Sequence, residues 1–146
     1  DAALNAGVLR YRADPHAFAR FAHDTDLTGR IPVPVLTVKG IDDPTAFAEL
    51  DAQFKATMEQ GGSASRLVQT FTRHSSHSYL SDATYPPLMA ALLRWVDDGV
   101  KPTPEGIARQ CPAYEARFGK GCAFVPGYAP APLSSRVVDR ERPALR

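Results

Sequence analysis

The hydrophobic pattern along the chain contains two short runs, at residues 35–38 and 66–72, each followed by a polar loop. The first run is continuous, which is typical of a strand buried on both faces of a sheet. Between the runs, residues 45–60 carry an apolar stripe at helical spacing, and Gly61-Gly62 follow as a helix stop. Parallel strands need a crossover of this kind, usually helical. The pattern therefore predicts an α/β fold built on a strand–helix–strand unit.

Candidate catalytic residues follow both predicted strands. The first strand leads into Gly40-Ile41-Asp42-Asp43-Pro44, and the second leads into a loop that ends at His77. The carboxyl ends of parallel strands lie at one edge of a sheet, where the ligands and active sites of such folds gather. We therefore expect Asp43 and His77 to meet there as an acid and a base, two members of a nucleophile–base–acid triad. Asp42 remains an alternative acid. Taken singly, an aspartate at a turn and a histidine in a loop both have ordinary structural interpretations.

Helical patterns occur on both sides of this unit. Asp14-Pro15 is a good helix start and predicts a helix over residues 16–23, whereas residues 1–14 show no clear period. A second helix, ended by Gly99, is predicted by an apolar stripe with Trp95 beside it in the core; the stripe consists of Leu88, Met89, Leu92, Leu93 and Val96. Beyond residue 100 only the segment 104–110 looks helical, and the rest is predicted to be coil that wraps the body.

Composition narrows the possible partners. The 146 residues are 44% hydrophobic and 23% charged, which is ordinary for a globular domain with its own core. The formal net charge is +1, and the basic residues are scattered. A nearly neutral chain gives no support for binding nucleic acid or an acidic membrane surface. No apolar run approaches the roughly 18 residues of a membrane span. We therefore expect neither a nucleic acid nor a membrane as a partner.

The two cysteines, Cys111 and Cys122, lie in a segment rich in Pro and Gly that has little core of its own. We predict a disulfide between them, with two free thiols in a reducing cytoplasm as the alternative. A disulfide implies a secreted or periplasmic protein. His74 and His77 are three residues apart, but no acidic residue stands in the register of a zinc site. We therefore predict neither a metal nor a cofactor.

The segments from Leu36 to Pro44 and from Arg73 to Tyr79 resemble the last two strands of an α/β-hydrolase, each with its following loop. In that family the acid follows a late strand and the histidine follows the last one; a glycine often precedes the histidine, and Ser76 replaces it here. The segment from Leu93 to Pro102 is similar to the closing helix of secreted bacterial members. The resemblance covers about residues 31–102. It implies the last βαβα portion of a hydrolase sheet, completed by an N-terminal partner chain or missing half.

The resemblance also implies an organisation. Residues 1–30 would be the end of a cap or connecting helix region, residues 31–102 the C-terminal βαβα unit, and residues 103–146 a disulfide-containing wrapping tail. The family's order is serine, acid, histidine. No Gly-x-Ser-x-Gly motif is present, and Gly62-Ser63-Ala64-Ser65 does not fit it. The nucleophilic serine is therefore expected outside this chain, on an N-terminal chain of the same precursor.

The activity that the resemblance implies is a serine hydrolase that cleaves small carboxylic esters, with Asp43 and His77 as its acid and base. The chain would be one product of a cleaved precursor, or a fragment. An aminopeptidase-like amide hydrolase with the same triad is one alternative. A non-catalytic secreted α/β binding module, in which the two residues are structural, is the other.

Overall fold

Two parallel strands, β1 (Val35–Gly40) and β2 (Leu67–Thr72), form the sheet in the computed structural model, which describes residues 1–137. The register runs without a bulge from the pair Val35–Leu67 to the pair Gly40–Thr72. The fold is mixed α/β, and the predicted strand–helix–strand unit is confirmed. Since the strands are parallel and in register, the loops after Gly40 and Thr72 both leave the sheet at the carboxyl end of the strands.

The connecting helix, α3, spans Glu49–Gln60 and is shorter than the predicted segment 45–60. Residues 44–48 form bends and a turn before the helix, and within them the backbone N–H groups of Thr45 and Ala46 donate to the Asp43 side chain. The C-terminal end agrees with the prediction, because Gly61 is the C-cap of α3. A 3₁₀ turn, Ala64–Arg66, then leads into β2.

Glycine is required at the end of α3 by a close approach of two backbone segments. A Cβ atom on residue 61 would lie 2.2 Å from the carbonyl carbon of Gly29. Gly29 itself has a φ of +68°, which favours glycine. Next to this contact, the N–H of Ile31 donates to the Ser63 hydroxyl at 3.1 Å. The segment that enters β1 is therefore fixed against the exit of α3.

Helices α4 (Tyr85–Asp98) and α5 (Pro104–Ala108) cover the face of the sheet opposite to α3. The core on this face consists of Leu88, Ala91, Ile107, Leu36, Val38 and Phe124. The predicted end of α4 is confirmed, since Gly99 ends it at a φ of +71°. Pro86 and Pro87 stand in its first turn. Trp95 is buried, also as predicted.

Helix α6 (Cys111–Phe118) was not predicted. Its only buried residue is Cys111. The predicted disulfide is confirmed, since Cys111 is bonded to Cys122. The bond ties the start of α6 to the chain that returns toward β2.

The returning chain covers the outer edge of β2. The N–H of Arg73 donates to the Ala123 oxygen at 2.9 Å, and the N–H of Val125 donates to the Phe71 oxygen at 2.8 Å. Beyond this pairing, Tyr128 meets Phe71 edge to face at 5.0 Å between ring centroids. No residue among 1–137 pairs with the other edge of β1. Within residues 1–137, the outer edge of β2 is therefore paired and the outer edge of β1 is open.

Residues 1–27 belong to a compact unit separate from residues 28–137. They form α1 (Ala2–Gly7) and α2 (Pro15–Thr25). The predicted start of α2 is confirmed, because the Asp14 carboxylate accepts from the N–H of Ala17 at 2.7 Å. Helix α1 was not predicted, and every one of its residues is exposed. Within residues 1–137, no helix is long and apolar enough to cross a membrane.

Candidate functional site

Asp43 stands in the turn that follows β1. The ladder continues for one residue beyond the strand, because the N–H of Ile41 donates to the Thr72 oxygen at 2.9 Å. The chain then turns, and the Asp43 side chain is left only 3% exposed. Its Oδ1 accepts from the N–H groups of Thr45 at 2.8 Å and Ala46 at 3.0 Å. The turn therefore supplies the amide groups that hold the carboxylate.

His77 reaches this carboxylate from the loop after β2. Its Nδ1 lies 3.0 Å from Oδ2 and 3.2 Å from Oδ1 of Asp43, across 34 residues of sequence. The structure thus brings together the two residues that the sequence singled out. An ionised carboxylate can only accept, so the neutral imidazole carries its proton on Nδ1. The free electron pair of the ring is then on Nε2, and the His77 side chain is 49% exposed.

A third residue, Lys39, completes the group. Its Nζ donates to Oδ2 of Asp43 at 2.7 Å. The pKa of Asp43 is held far below its ordinary value, chiefly by this bond from Lys39 and then by the N–H of Ala46, with His77 and the N–H of Thr45 adding to the effect. These bonds outweigh the burial of the carboxyl, which acts in the opposite direction. Asp43 is therefore an anion held in one orientation.

The alternative acid, Asp42, has a different position. It is exposed and forms no hydrogen bond with His77. Of the two aspartates that the sequence left open, Asp43 is the one that contacts the imidazole. Lys39 was not singled out from the sequence. The signal for it was a lysine that interrupts the apolar pattern at the end of a buried strand, four residues before the acid.

The loop that carries His77 approaches the end of β1 very closely. A Cβ atom on residue 40 would lie 2.6 Å from the backbone oxygen of His74. Any side chain at Gly40 would therefore push the loop away from the strand. Gly40 precedes the turn of residues 41–46, called the acid turn below because it contains Asp43. The glycine thus has a packing role, because it lets the loop return far enough for His77 to reach Asp43.

The same loop is attached to the segment closed by the disulfide. The Ser81 hydroxyl donates to the Gly121 oxygen at 2.8 Å, and the Tyr85 hydroxyl accepts from the N–H of Leu80 at 3.0 Å. The Glu115 carboxylate of α6 accepts from the N–H groups of Gly121 at 2.9 Å and Cys122 at 3.0 Å. The loop after His77 is therefore hydrogen-bonded to Gly121, which lies 44 positions further along the chain than His77.

The arrangement supplies a base and its orienting acid, and residues 1–137 bring no nucleophile to them. None of the described serine or threonine hydroxyls hydrogen-bonds to His77, and both cysteines are in the disulfide. The described residues also contain no group of three or more His, Cys, Asp or Glu side chains that could hold a metal ion. Such a pair can accept a proton from a hydroxyl brought to Nε2 and return it.

No protein-family model matches the sequence, and neither a curated protein nor a solved structure is significantly similar to it.

Proposed function

We propose that the chain is part of a serine hydrolase that cleaves small carboxylic esters, with Asp43 and His77 as two members of a triad whose serine lies outside this chain. The main support for the proposal is the contact between His77 Nδ1 and the Asp43 carboxylate at 3.0 Å. A buried anion on Nδ1 and a half-exposed ring are the two features that a general base of this kind needs.

The proposed chemistry assigns one role to each residue. His77 Nε2 accepts the proton of the serine hydroxyl as its oxygen attacks the ester carbonyl, and the carbonyl π electrons move to the oxygen. When the tetrahedral intermediate collapses, the bond to the alcohol oxygen breaks and His77 returns the proton to that oxygen. A water molecule repeats both steps on the acyl-enzyme. Asp43 holds the tautomer and stabilises the imidazolium in each step.

The open edge of β1 supports the part of the proposal that concerns a partner. Two strands are too few for an independent sheet. A strand added along this open edge, parallel to β1, would have its carboxyl end on the same side of the sheet as Asp43 and His77, where the serine is needed. The proposed partner is an N-terminal chain of the same precursor, and together they would form an α/β-hydrolase sheet.

The surface of α4 supports the same partner. Helix α4 packs on β1 and α5 packs on β2, and Ala91 and Arg94 of α4 line a cavity beside α5. The opposite flank of α4 faces away from α5. That flank is apolar and exposed, and it is formed by Met89, Leu93 and Val96. An exposed apolar patch of this kind marks an interaction site.

The disulfide is consistent with an oxidising compartment, and we propose that the protein is secreted or periplasmic. A second candidate function is a non-catalytic secreted α/β binding module. The contact between Lys39 and Asp43 favours it, because a lysine that neutralises a buried acid is also a common way to fix a turn.

The two candidates are separated by labelling with a fluorophosphonate, which reacts only with an activated serine. The protein is purified together with any polypeptide that accompanies it, and denaturing electrophoresis shows which chain carries the label. We expect the label on the accompanying chain and its loss in a His77→Ala variant. His16→Ala, in the exposed start of α2, is the matched control and should keep the label.

Two results would contradict the proposal. One is a label on the present chain, which would contradict the position of the serine outside it. The other is a folded monomer that takes no label and has no accompanying chain, which is the result expected for the binding module.

A further inference from the structure

Lys39 and His77 share one oxygen atom of the acid. Lys39 Nζ lies 2.7 Å from Oδ2 of Asp43, and His77 Nδ1 lies 3.0 Å from the same atom. The two nitrogens are therefore at most about 6 Å apart, a range in which charges interact strongly. The Lys39 side chain is only 15% exposed, so water screens it less than a surface lysine.

The neighbouring elements carry three other titratable side chains. On α3, burial raises the pKa of Asp51, and the charge of Lys39 opposes that rise. In the acid turn, Asp42 is exposed. In the loop after β2, His74 packs its backbone oxygen against Gly40, and its buried Nδ1 has no hydrogen-bond partner among the described residues. Lys39 is thus the ammonium group in contact with the acid, and its charge acts on Asp43 and Asp51.

A fixed ammonium group at this place has two effects on the histidine. It holds Asp43 Oδ2 in the position from which that atom accepts from His77. It also opposes a second positive charge on the same carboxylate, which is what protonation of the imidazole creates. We infer that Lys39 is a positioning residue of the Asp43–His77 pair, and that it keeps His77 unprotonated, and so able to act as a base, at a more acidic pH than the pair alone would allow.

This inference rests on the proposed function only for its consequence in catalysis, where it predicts a hydrolase that stays active at mildly acidic pH. The protonation of His77 itself needs no serine, partner or substrate. It can therefore be measured on the protein as purified, together with any polypeptide that accompanies it, and the answer does not depend on whether the hydrolase exists.

The test is an NMR titration of the His77 Cε1–H resonance in wild type and in Lys39→Met. We expect the pH of half-protonation to rise by about half a unit to one unit in the variant, since one charge about 6 Å away is removed. Lys39→Arg keeps the charge and should restore the wild-type midpoint. Lys55→Met is the matched control, because Lys55 pairs with Glu59 on the exposed side of α3, and it should leave the midpoint unchanged.

If Lys39→Met does not fold, Lys39→Gln gives the same measurement with a neutral donor at the end of the side chain. A midpoint that stays in place or falls in a folded neutral variant overturns the inference. A midpoint that rises equally in Lys39→Arg also overturns it, because the effect would then not come from the charge.

The outcomes for the two proposals are distinct. A shifted midpoint in a folded monomer that takes no fluorophosphonate label and has no accompanying chain supports the inference and contradicts the hydrolase. In the complete hydrolase, the acid-side fall of kcat/KM should move to higher pH in Lys39→Met by the same amount as the NMR midpoint.

Discussion

The acid turn and the loop of residues 73–84 that carries His77 (the histidine loop) are held at the site by different contacts. Asp43 is almost fully buried, and apart from His77 its donors all lie within four residues of it, namely Lys39, Thr45 and Ala46. His77 is half exposed, and within residues 1–137 its side chain hydrogen-bonds only to Asp43, while its loop is attached to Gly121 and Ala123 far along the chain. The acid is therefore positioned locally, and the histidine is positioned by tertiary structure.

This difference shows which member of the Asp43–His77 pair depends on the rest of the protein. A turn closed by neighbouring residues keeps its shape as long as its own backbone is intact. A loop held by a remote segment loses its position when that segment loosens, even if the loop itself is unchanged. Substitutions in the tail should accordingly disturb His77 and leave Asp43 in place.

The largest expected effect comes from the acid. Asp43→Asn removes the charge that fixes the His77 tautomer, and by the precedent of the serine triad kcat should fall by about 10⁴. Asp42→Asn is the matched control, because Asp42 stands next to it in the turn but does not contact His77. The measurement is hydrolysis of a chromogenic ester by the complete hydrolase. A greater loss in Asp42→Asn would show that the other aspartate is the acid.

The second effect concerns the loop. In the double variant Cys111→Ser/Cys122→Ser, we expect a loss of about 3 kcal/mol in the free energy of unfolding, from the chain entropy of a loop closed over a sequence separation of 11. Urea unfolding measures this loss. Hydrogen exchange then tests where it is localised. The amides of residues 73–84 should exchange faster, and those of Thr45 and Ala46 should keep their protection. Equal acceleration in both regions would contradict the comparison.

The same contrast decides what could be predicted from the sequence. The strands and the ends of α3 and α4 were predictable, because their signals are local apolar periodicity, Gly and Pro. The pairing of Asp43 with His77 followed from the topology, since parallel strands present their following loops at one edge. The start of α3 was predicted too early, because the apolar spacing of residues 45–60 does not reveal that residues 44–48 form bends and a turn before the helix.

Features fixed by remote contacts were not predictable in this way. Helix α6 buries only Cys111, and its disulfide and the Glu115 carboxylate attach it to Gly121 and Cys122. The cover of the tail on β2 depends on backbone pairing that no residue type specifies. The contact of Lys39 with Asp43 was not predictable, because it depends on the direction of the lysine side chain and on the geometry of the turn.

The smallest expected effect is a pH dependence of stability, and it isolates the acid turn from the histidine. The stabilities of His77→Ala and of His77→Ala/Asp43→Asn are compared by urea unfolding from pH 7 to pH 3. Without the imidazole, the difference between the two variants reports the Asp43 carboxylate with its lysine and amide donors. The pKa of Asp43 is lowered in the folded protein, so the folded chain binds this proton more weakly than the unfolded chain.

The stabilising contribution of Asp43 is therefore complete above the ordinary aspartate pKa of about 3.9, and it is lost as the pH falls toward the lowered value of the folded state. We expect a constant difference between pH 7 and pH 5 and a smaller difference below about pH 4. A difference that stays constant down to pH 3 would mean that the local donors do not favour the ionised acid. The acid turn would then depend on His77, and the two regions would be positioned by each other.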